Sequence, residues 1–452
     1  MSRAIQKILS AESPWEIFQN AARSSRVSFF LDSIHYRPPD QTYSYIGADP
    51  FLEVTLEKGR VRVRGEESGN YPAARVFDLL RRFFKKYKPR AHPGADFFTG
   101  GAVGFLSYEL AALFEKIRFR PKPGPQVPLL YLGFYRDLIV YDHRRKVYHL
   151  AAGDKTGLKR LKSYFNHPRH PEAPFTLKKF RPEIPRSDFE RMVRKAKAYI
   201  EAGDIYQANL SQRFAFQFEG SGLKLYDALR KINPSPFDSF LNLGDLKIVS
   251  SSPERLVRKR GRLCETRPIA GTRPTHAVRR STRQLERELL ANEKERAEHL
   301  MLVDLERNDL GRVCEWKSVK VREFMKVEKY SHVMHIVSKV TGRLARGRDM
   351  FDLVRAMFPG GTITGCPKVR CMEVIDELEP VRRGIYTGSL GFLGFGGDMD
   401  LNIVIRTLIL KKNRGWLQVG AGIVHDSDPA REYDETLHKG EALAQALVQA
   451  GL

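Results

Sequence analysis

Residues 187–218 read SDFERMVRKAKAYIEAGDIYQANLSQRFAFQF, and the change of period within this stretch decides the fold class. Ser187 is expected to cap a helix, DFERMVRKAKAYIEAG, which Gly203 ends. A β-rich run, IYQANLSQRFAFQF, follows at 205–218. Beyond it, strands and helices mix without the regular alternation of a doubly wound sheet, which predicts an α+β fold. Working back toward the N-terminus, short β-rich runs between about residues 28 and 63 (VSFFLDS, TYSYIGADPFLEVTL, RVRVRG) are broken by Pro, Gly and Asp and predict a strand meander. AARVFDLLRRFFKK (73–86) switches to a helical period, and a second β-rich block spans GGAVGFLSYEL and PLLYLGFYRDLIVYDHRRKVYHLAAG. The glycines of 100–104 lack the Gly-Lys-Ser/Thr ending of a phosphate loop, so a bulge or close packing is expected there.

Between these halves, 154–185 turns basic and rich in Pro and His, a composition suited to a solvated connector. The expected organisation is an N-terminal domain over 1–153, the connector, and a catalytic domain over 186–452.

The chain has 452 residues, 42% hydrophobic and 29% charged, which excludes intrinsic disorder. Lys and Arg number 77 against 53 Asp and Glu, a formal charge of +24. These basic residues are scattered in short clusters with acids close by, and no zinc-finger spacing, RNA-recognition signature or clear helix-turn-helix accompanies them. A solvated basic surface that steers a small anion is therefore preferred over nucleic-acid binding. Four cysteines, Cys264, Cys314, Cys366 and Cys371, form no C-x-x-C pair, and no apolar run approaches the ~20 residues that span a bilayer. No membrane partner and a reducing, cytoplasmic location are expected.

Two pairs of carboxylates have the i, i+3 spacing that shares one helix face: Glu295 with Glu298, and Glu432 with Glu435. Brought together they make a hard oxygen site suited to Mg²⁺; taken singly, each is the pattern of a solvated helix face. In YSHVMHIVSKVTG, His332 and His335 fall on a β-branched run at odd spacing and face opposite sides. FPGGTITGCPKVRCMEVIDELEP (358–380) is a Gly/Thr-rich turn running into a helix, whose amides can receive a carboxylate. LNIVIRTLIL places Arg406 among apolar neighbours, where a guanidinium calls for an anion.

Seven segments in order, SSSPERLVR, ETRPIAGTRP, EHLMLVDLERNDLGRV, YSHVMHIVS, FPGGTITGCPKVRCMEVIDELEP, GDMDLNIVIRT and GAGIVHDSDPAREYDET, resemble the signature blocks of chorismate-utilising enzymes. That family includes component I of anthranilate synthase and of aminodeoxychorismate synthase. The resemblance runs from about 184 to 447, with a weaker N-terminal part in FFLDS and YSYIGADPF. It implies large antiparallel sheets packed as a sandwich with flanking helices. It also implies Mg²⁺ held by Glu298 and Glu435 with Glu295 and Glu432 in support, and chorismate carboxylates held by Arg406, Tyr386, Lys439 and the amides of Gly420, Ala421 and Gly422. Gly271 and Thr272 would approach the ring, Glu254 would assist departure of the ring hydroxyl, and His335 and Thr362 would handle later protons.

Family members that add water to chorismate resemble the 205–214 strand but carry a lysine base where this chain has Gln207, which cannot deprotonate water. The resemblance therefore implies ammonia as the nucleophile. With Cys366 and Cys371 inside a chorismate block, no glutaminase cysteine is in place, so ammonia is expected from a separate glutamine amidotransferase subunit. YSYIGADPF, IYQANLSQRF and GDMDLNIVIRT look more like the folate branch, which makes 4-amino-4-deoxychorismate. Ala270, where many enzymes of that branch carry an attacking lysine, looks like the anthranilate branch instead, and His425 is a second departure. A catalytically silent homologue is the remaining rival, opposed by the presence of all four carboxylates, Arg406 and Glu254.

Overall fold

The computed structural model describes residues 4–33, 42–89, 95–166, 171–274, 282–329 and 333–451. His332 and the Thr272 side chain lie outside that description. The described residues build two twelve-stranded antiparallel sheets. Their facing sides bury Val27, Phe29, Tyr45 and Trp416 from one sheet against Val103, Phe105, Tyr131 and Leu390 from the other. Helices cover both outer faces. Pro14–Ser24, Gly222–Ile232 and Pro429–Gln449 pack on the first sheet, and Val76–Lys86 and Met350–Met357 on the second. Each helix turns an apolar stripe inward, as the 3.6 period of its sequence requires, and the result is a four-layer α+β sandwich.

The meander runs form as expected: Val27–Asp32, Tyr43–Ala48, Leu52–Glu57, Arg60–Gly65, Leu130–Tyr135, Leu138–Asp142 and Val147–Ala152 are all strands. In Gly101–Leu106, close packing is the reason for glycine. A Cβ on Gly104 would stand 1.9 Å from the Tyr131 carbonyl oxygen.

Three local expectations change. The helix after the connector is Arg186–Glu201 with Pro185 at its N-cap, so Ser187 lies inside the first turn. Proline lacks the N–H that the first turn leaves unpaired and has a compatible φ, so a boundary there needs no hydroxyl. Second, 154–185 contains a helix, Lys155–Ser163, capped by Asp154, and an edge strand, Thr176–Pro182. Leu161 and Phe175 from this segment are buried in the first sheet's outer core. Third, strands from both sides of it alternate in both sheets: Val27–Asp32 pairs with Phe237–Leu243, and Gly101–Leu106 with Ser389–Gly394. The halves on either side of 154–185 thus share their cores.

Candidate functional site

Among the chain segments that pass from one sheet to the other, two do so side by side at the candidate site. Leu246–Ser252 belongs to the first sheet and Arg255–Arg260 to the second, so Pro253 and Glu254 form a crossover. Met399–Ile403 belongs to the second sheet and Thr407–Lys411 to the first. The apolar run LNIVIRTLIL is therefore two strands, with Arg406 at the break in a left-handed conformation, φ 49°. The crossovers are bonded together: the Ile403 amide donates to Glu254 O at 3.0 Å and the Ser251 amide to Arg406 O at 3.1 Å. The Ser252 hydroxyl donates to Ile403 O at 2.6 Å. A carboxyl group and a guanidinium are thereby held on adjoining backbone turns.

Their environment changes their chemistry. Burial pushes the Glu254 carboxyl up to about 7, against the smaller opposing effects of the Thr362 hydroxyl, Arg406 and Lys439. The Thr362 hydroxyl faces Glu254 without closing a hydrogen bond. Burial lowers the Arg406 pKa, with Glu254 its nearest counter-charge, and the guanidinium has no ion pair among the described residues. A buried cation in that state is a receptor for a ligand carboxylate.

His335 lies on Val333–Arg343, opposite Thr272 of Ile269–Pro274, where the register slips between Ala270 and Thr272. At that bulge Gly271 has φ 63°, and a Cβ there would stand 2.6 Å from a Glu295 carboxylate oxygen. Only glycine lets the backbone approach Glu295 so closely. Its carbonyl accepts from His335 Nδ1 at 3.0 Å. A carbonyl can only accept, so Nδ1 carries the hydrogen and Nε2 is the nitrogen able to take a proton. Burial, with a contribution from Arg406, lowers His335 to about 4.

Residues 420–422 lie in Arg414–Ile423, paired with Ser211, Leu210 and Asn209 of Gln207–Glu219. On the edge toward Arg414–Ile423, Thr407–Lys411 pairs with residues 414–417. Extending that register would set Arg406 beside residue 419, so the edge of 418–423 facing Arg406 is open in the ladder. The backbone groups on that edge are available to a ligand held by Arg406. Lys439 donates to Gly420 O at 3.2 Å, and the Tyr386 hydroxyl stands 2.7 Å from where a Gly420 Cβ would be. Gln207 Nε2 donates to Glu298 Oε1 at 3.3 Å and would stand 2.6 Å from a Gly422 Cβ.

Glu295 and Glu298 sit on helix Glu293–Gly311, and Glu432 and Glu435 on Pro429–Gln449. The donor chemistry fits Mg²⁺, since these are hard carboxylate oxygens. Among the described residues no three acidic, His or Cys side chains stand close enough to share an ion. Glu435 is instead paired with Lys439 at 2.6 Å, an ammonium standing where a metal ligand's counter-charge is required.

Several groups here escape sequence reasoning. Glu306 is buried, with one carboxylate oxygen lacking a hydrogen bond. Burial and then Asp309 push its pKa up. Asp309 forms a buried ion pair with Lys368. Glu379 and Arg383 form another, below the 420–422 strand. ERND and ELEPVRR both look like solvated charge in one dimension, and only the burial of alternate members distinguishes them.

The profile of the chorismate binding enzyme family matches residues 31–445. Aminodeoxychorismate synthase component 1 of Bacillus subtilis is 42% identical over 446 residues, covering 95% of this chain and 93% of the relative. Anthranilate synthase component 1 of Acetivibrio thermocellus is 38% identical, covering 97% and 94%. The crystal structure of anthranilate synthase component I from Streptococcus pneumoniae superposes with a TM-score of 0.81 at 35% identity, covering 91% and 95%. The isochorismate synthase MenF of Escherichia coli shares the fold, with a TM-score of 0.75 at 18% identity and coverage of 99% and 95%. The chain belongs to the chorismate-binding enzymes and is a chorismate-utilising enzyme. No helix of the described residues is long and apolar enough to cross a membrane.

Proposed function

We propose that this chain aminates chorismate with ammonia to give 4-amino-4-deoxychorismate and water, as component 1 of an aminodeoxychorismate synthase. The observation that carries the reading is the paired crossover, which sets a carboxyl raised to about 7 by burial beside a guanidinium that has no ion pair among the described residues. Arg406 and the open 418–423 edge bind a substrate carboxylate. Glu254 in its protonated form gives a proton to the leaving hydroxyl, which departs as water. A C–N bond forms to ammonia, which loses one proton, so atoms and charge balance. Gln207 supports ammonia over water because an amide offers no base. Mg²⁺, when bound by Glu298 and Glu435 with Glu295 and Glu432 behind them, would supply charge neutralisation at a substrate carboxylate.

Ala270 favours a second reading, anthranilate synthase component 1. It is 7% exposed at the bulge beside Gly271 and offers no nucleophile to the ring.

Under either reading, ammonia comes from a separate glutamine amidotransferase. The purified chain should consume chorismate with ammonium salts and not with glutamine until that subunit is added. Glutamine-dependent turnover by the isolated chain would contradict this.

A further inference from the structure

Arg383 and Glu379 lie on the turn after helix Lys368–Leu378, their side chains 2% and 1% exposed. Nothing in the chemistry above uses them, yet their bonds reach three segments beside the site. Arg383 donates to both Glu379 oxygens, at 2.9 and 2.7 Å. It also donates to Ile363 O at 2.9 Å, to Asn209 O at 2.5 Å and to the Thr387 hydroxyl at 3.3 Å. Glu379 accepts the amide and the hydroxyl of Ser211, both at 2.8 Å. Gln418 donates to the same hydroxyl at 2.8 Å.

Each anchored atom adjoins a site residue. Ile363 follows Thr362, which faces Glu254. Asn209 pairs with Gly422 and Ser211 with Gly420 in the strand register. Thr387 follows Tyr386, whose ring lies 5.7 Å from the guanidinium, while the ring of Tyr108 lies 4.8 Å away on another side. The five donors of an arginine form a rigid planar fork, and here that fork sets the spacing of a turn, a strand and a loop at once. A lysine could satisfy Glu379, but one flexible ammonium could not hold Ile363 O, Asn209 O and Thr387 together.

We propose that Arg383 and Glu379 are positioning residues for chorismate turnover, fixing the distance between the Thr362 turn and the 420–422 strand across which substrate binds. This rests on chorismate as the substrate and not on which product forms.

The test compares Arg383→Lys with wild type, measuring chorismate consumption with ammonium across pH together with thermal melting. Wild type must first consume chorismate; failure there would tell against the assigned substrate and leave the positioning claim separately readable. In Arg383→Lys the retained positive charge should keep the chain folded. The expected result is a kcat/KM reduced at least about tenfold, as small misplacements of a site produce. The alkaline limb should also move upward, because Thr362, freed from its anchor, no longer holds the Glu254 pKa down. A folded variant with unchanged kcat/KM and unchanged pH profile would overturn the proposal.

The double variant Glu379→Leu/Arg383→Met covers the case in which the lysine variant does not fold, since apolar replacement of a buried ion pair is often tolerated. It should melt cooperatively and lose activity by at least the same factor; wild-type activity in it would overturn the proposal. Failure of both variants to fold would also overturn it, by making the pair a requirement of the fold.

Discussion

The crossover site and a cavity between the two sheets differ in how their charges are paired. The cavity, about 570 Å³, lies between the sheets and is lined by Ser33, Pro236, Asp238 and Arg255 among others. None of the candidate site residues lines it. Several of its charged groups are ion-paired: Arg255 meets Asp400 at 2.9 Å and Glu265 at 3.3 Å, and Asp32 meets Arg230 at 2.7 Å. The Ser33 hydroxyl donates to Tyr43 O at 3.0 Å, while Asp238, pushed well above the usual carboxylate range by burial and by Asp32, keeps one oxygen without a hydrogen bond among the described residues. At the crossovers, by contrast, Arg406 has no ion pair among the described residues, and burial raises the Glu254 carboxyl to about 7. A cavity is the usual first guide to a site; the proposed site is marked instead by a carboxyl and a guanidinium whose pKa values burial shifts.

The strongest way to break the contrast is to remove the negative charges expected to bind Mg²⁺. Glu298→Gln and Glu435→Gln should each abolish turnover while circular dichroism stays that of wild type, and excess EDTA should do the same to the wild-type enzyme. Full activity in EDTA would remove metal from the account.

Next in size is Glu254→Gln, which should lower kcat by about 10²- to 10⁴-fold, the range for losing a positioned acid. Wild-type turnover in that variant would return the search to the cavity.

The pH profile sharpens the contrast further. Glu254 acts when protonated, so its contribution is present below its raised pKa of about 7 and is lost as pH rises through it, while His335, lowered to about 4, stays neutral and able to accept across that range. kcat/KM should therefore fall above about pH 7, with a slope approaching tenfold per unit, and Glu254→Gln should flatten that limb. A wild-type profile flat from pH 6 to 9 would contradict the assignment of the acid.

The smallest effects are expected at the cavity. The resemblance to the anthranilate branch implies that a strand and a turn like FFLDS and NPSPF (233–237) help enclose tryptophan. Here the Ser33 hydroxyl already serves Tyr43, so tryptophan should inhibit weakly or not at all and Ser33→Ala should change turnover by less than about twofold. Inhibition by micromolar tryptophan would make the cavity a regulatory site and move the assignment to the anthranilate branch.

The meander strands were legible because alternation and turn residues act locally. The composite sheets were not, since pairing Val27–Asp32 with Phe237–Leu243 is a contact across some two hundred residues that no local pattern encodes. The segment 154–185 looked solvated because its basic residues outnumber Leu161 and Phe175, which anchor it. At the site, Arg406 could be singled out by its apolar neighbours and Glu254 only through the resemblance of SSSPERLVR, while their adjacency, which depends on two crossovers meeting, was not legible. The His335 contact to Gly271 and the bonds of Arg383 were equally hidden, because backbone carbonyls have no signature in sequence.

The most direct test of the central claim identifies the product. Wild type incubated with chorismate, Mg²⁺ and ammonium, followed by coupled mass spectrometry, should release 4-amino-4-deoxychorismate with its enolpyruvyl group retained. Ala270→Lys, which places an amine near the ring, should alter rate or partitioning without creating anthranilate. Release of anthranilate and pyruvate by the wild-type chain would contradict the account and establish the second reading in its place.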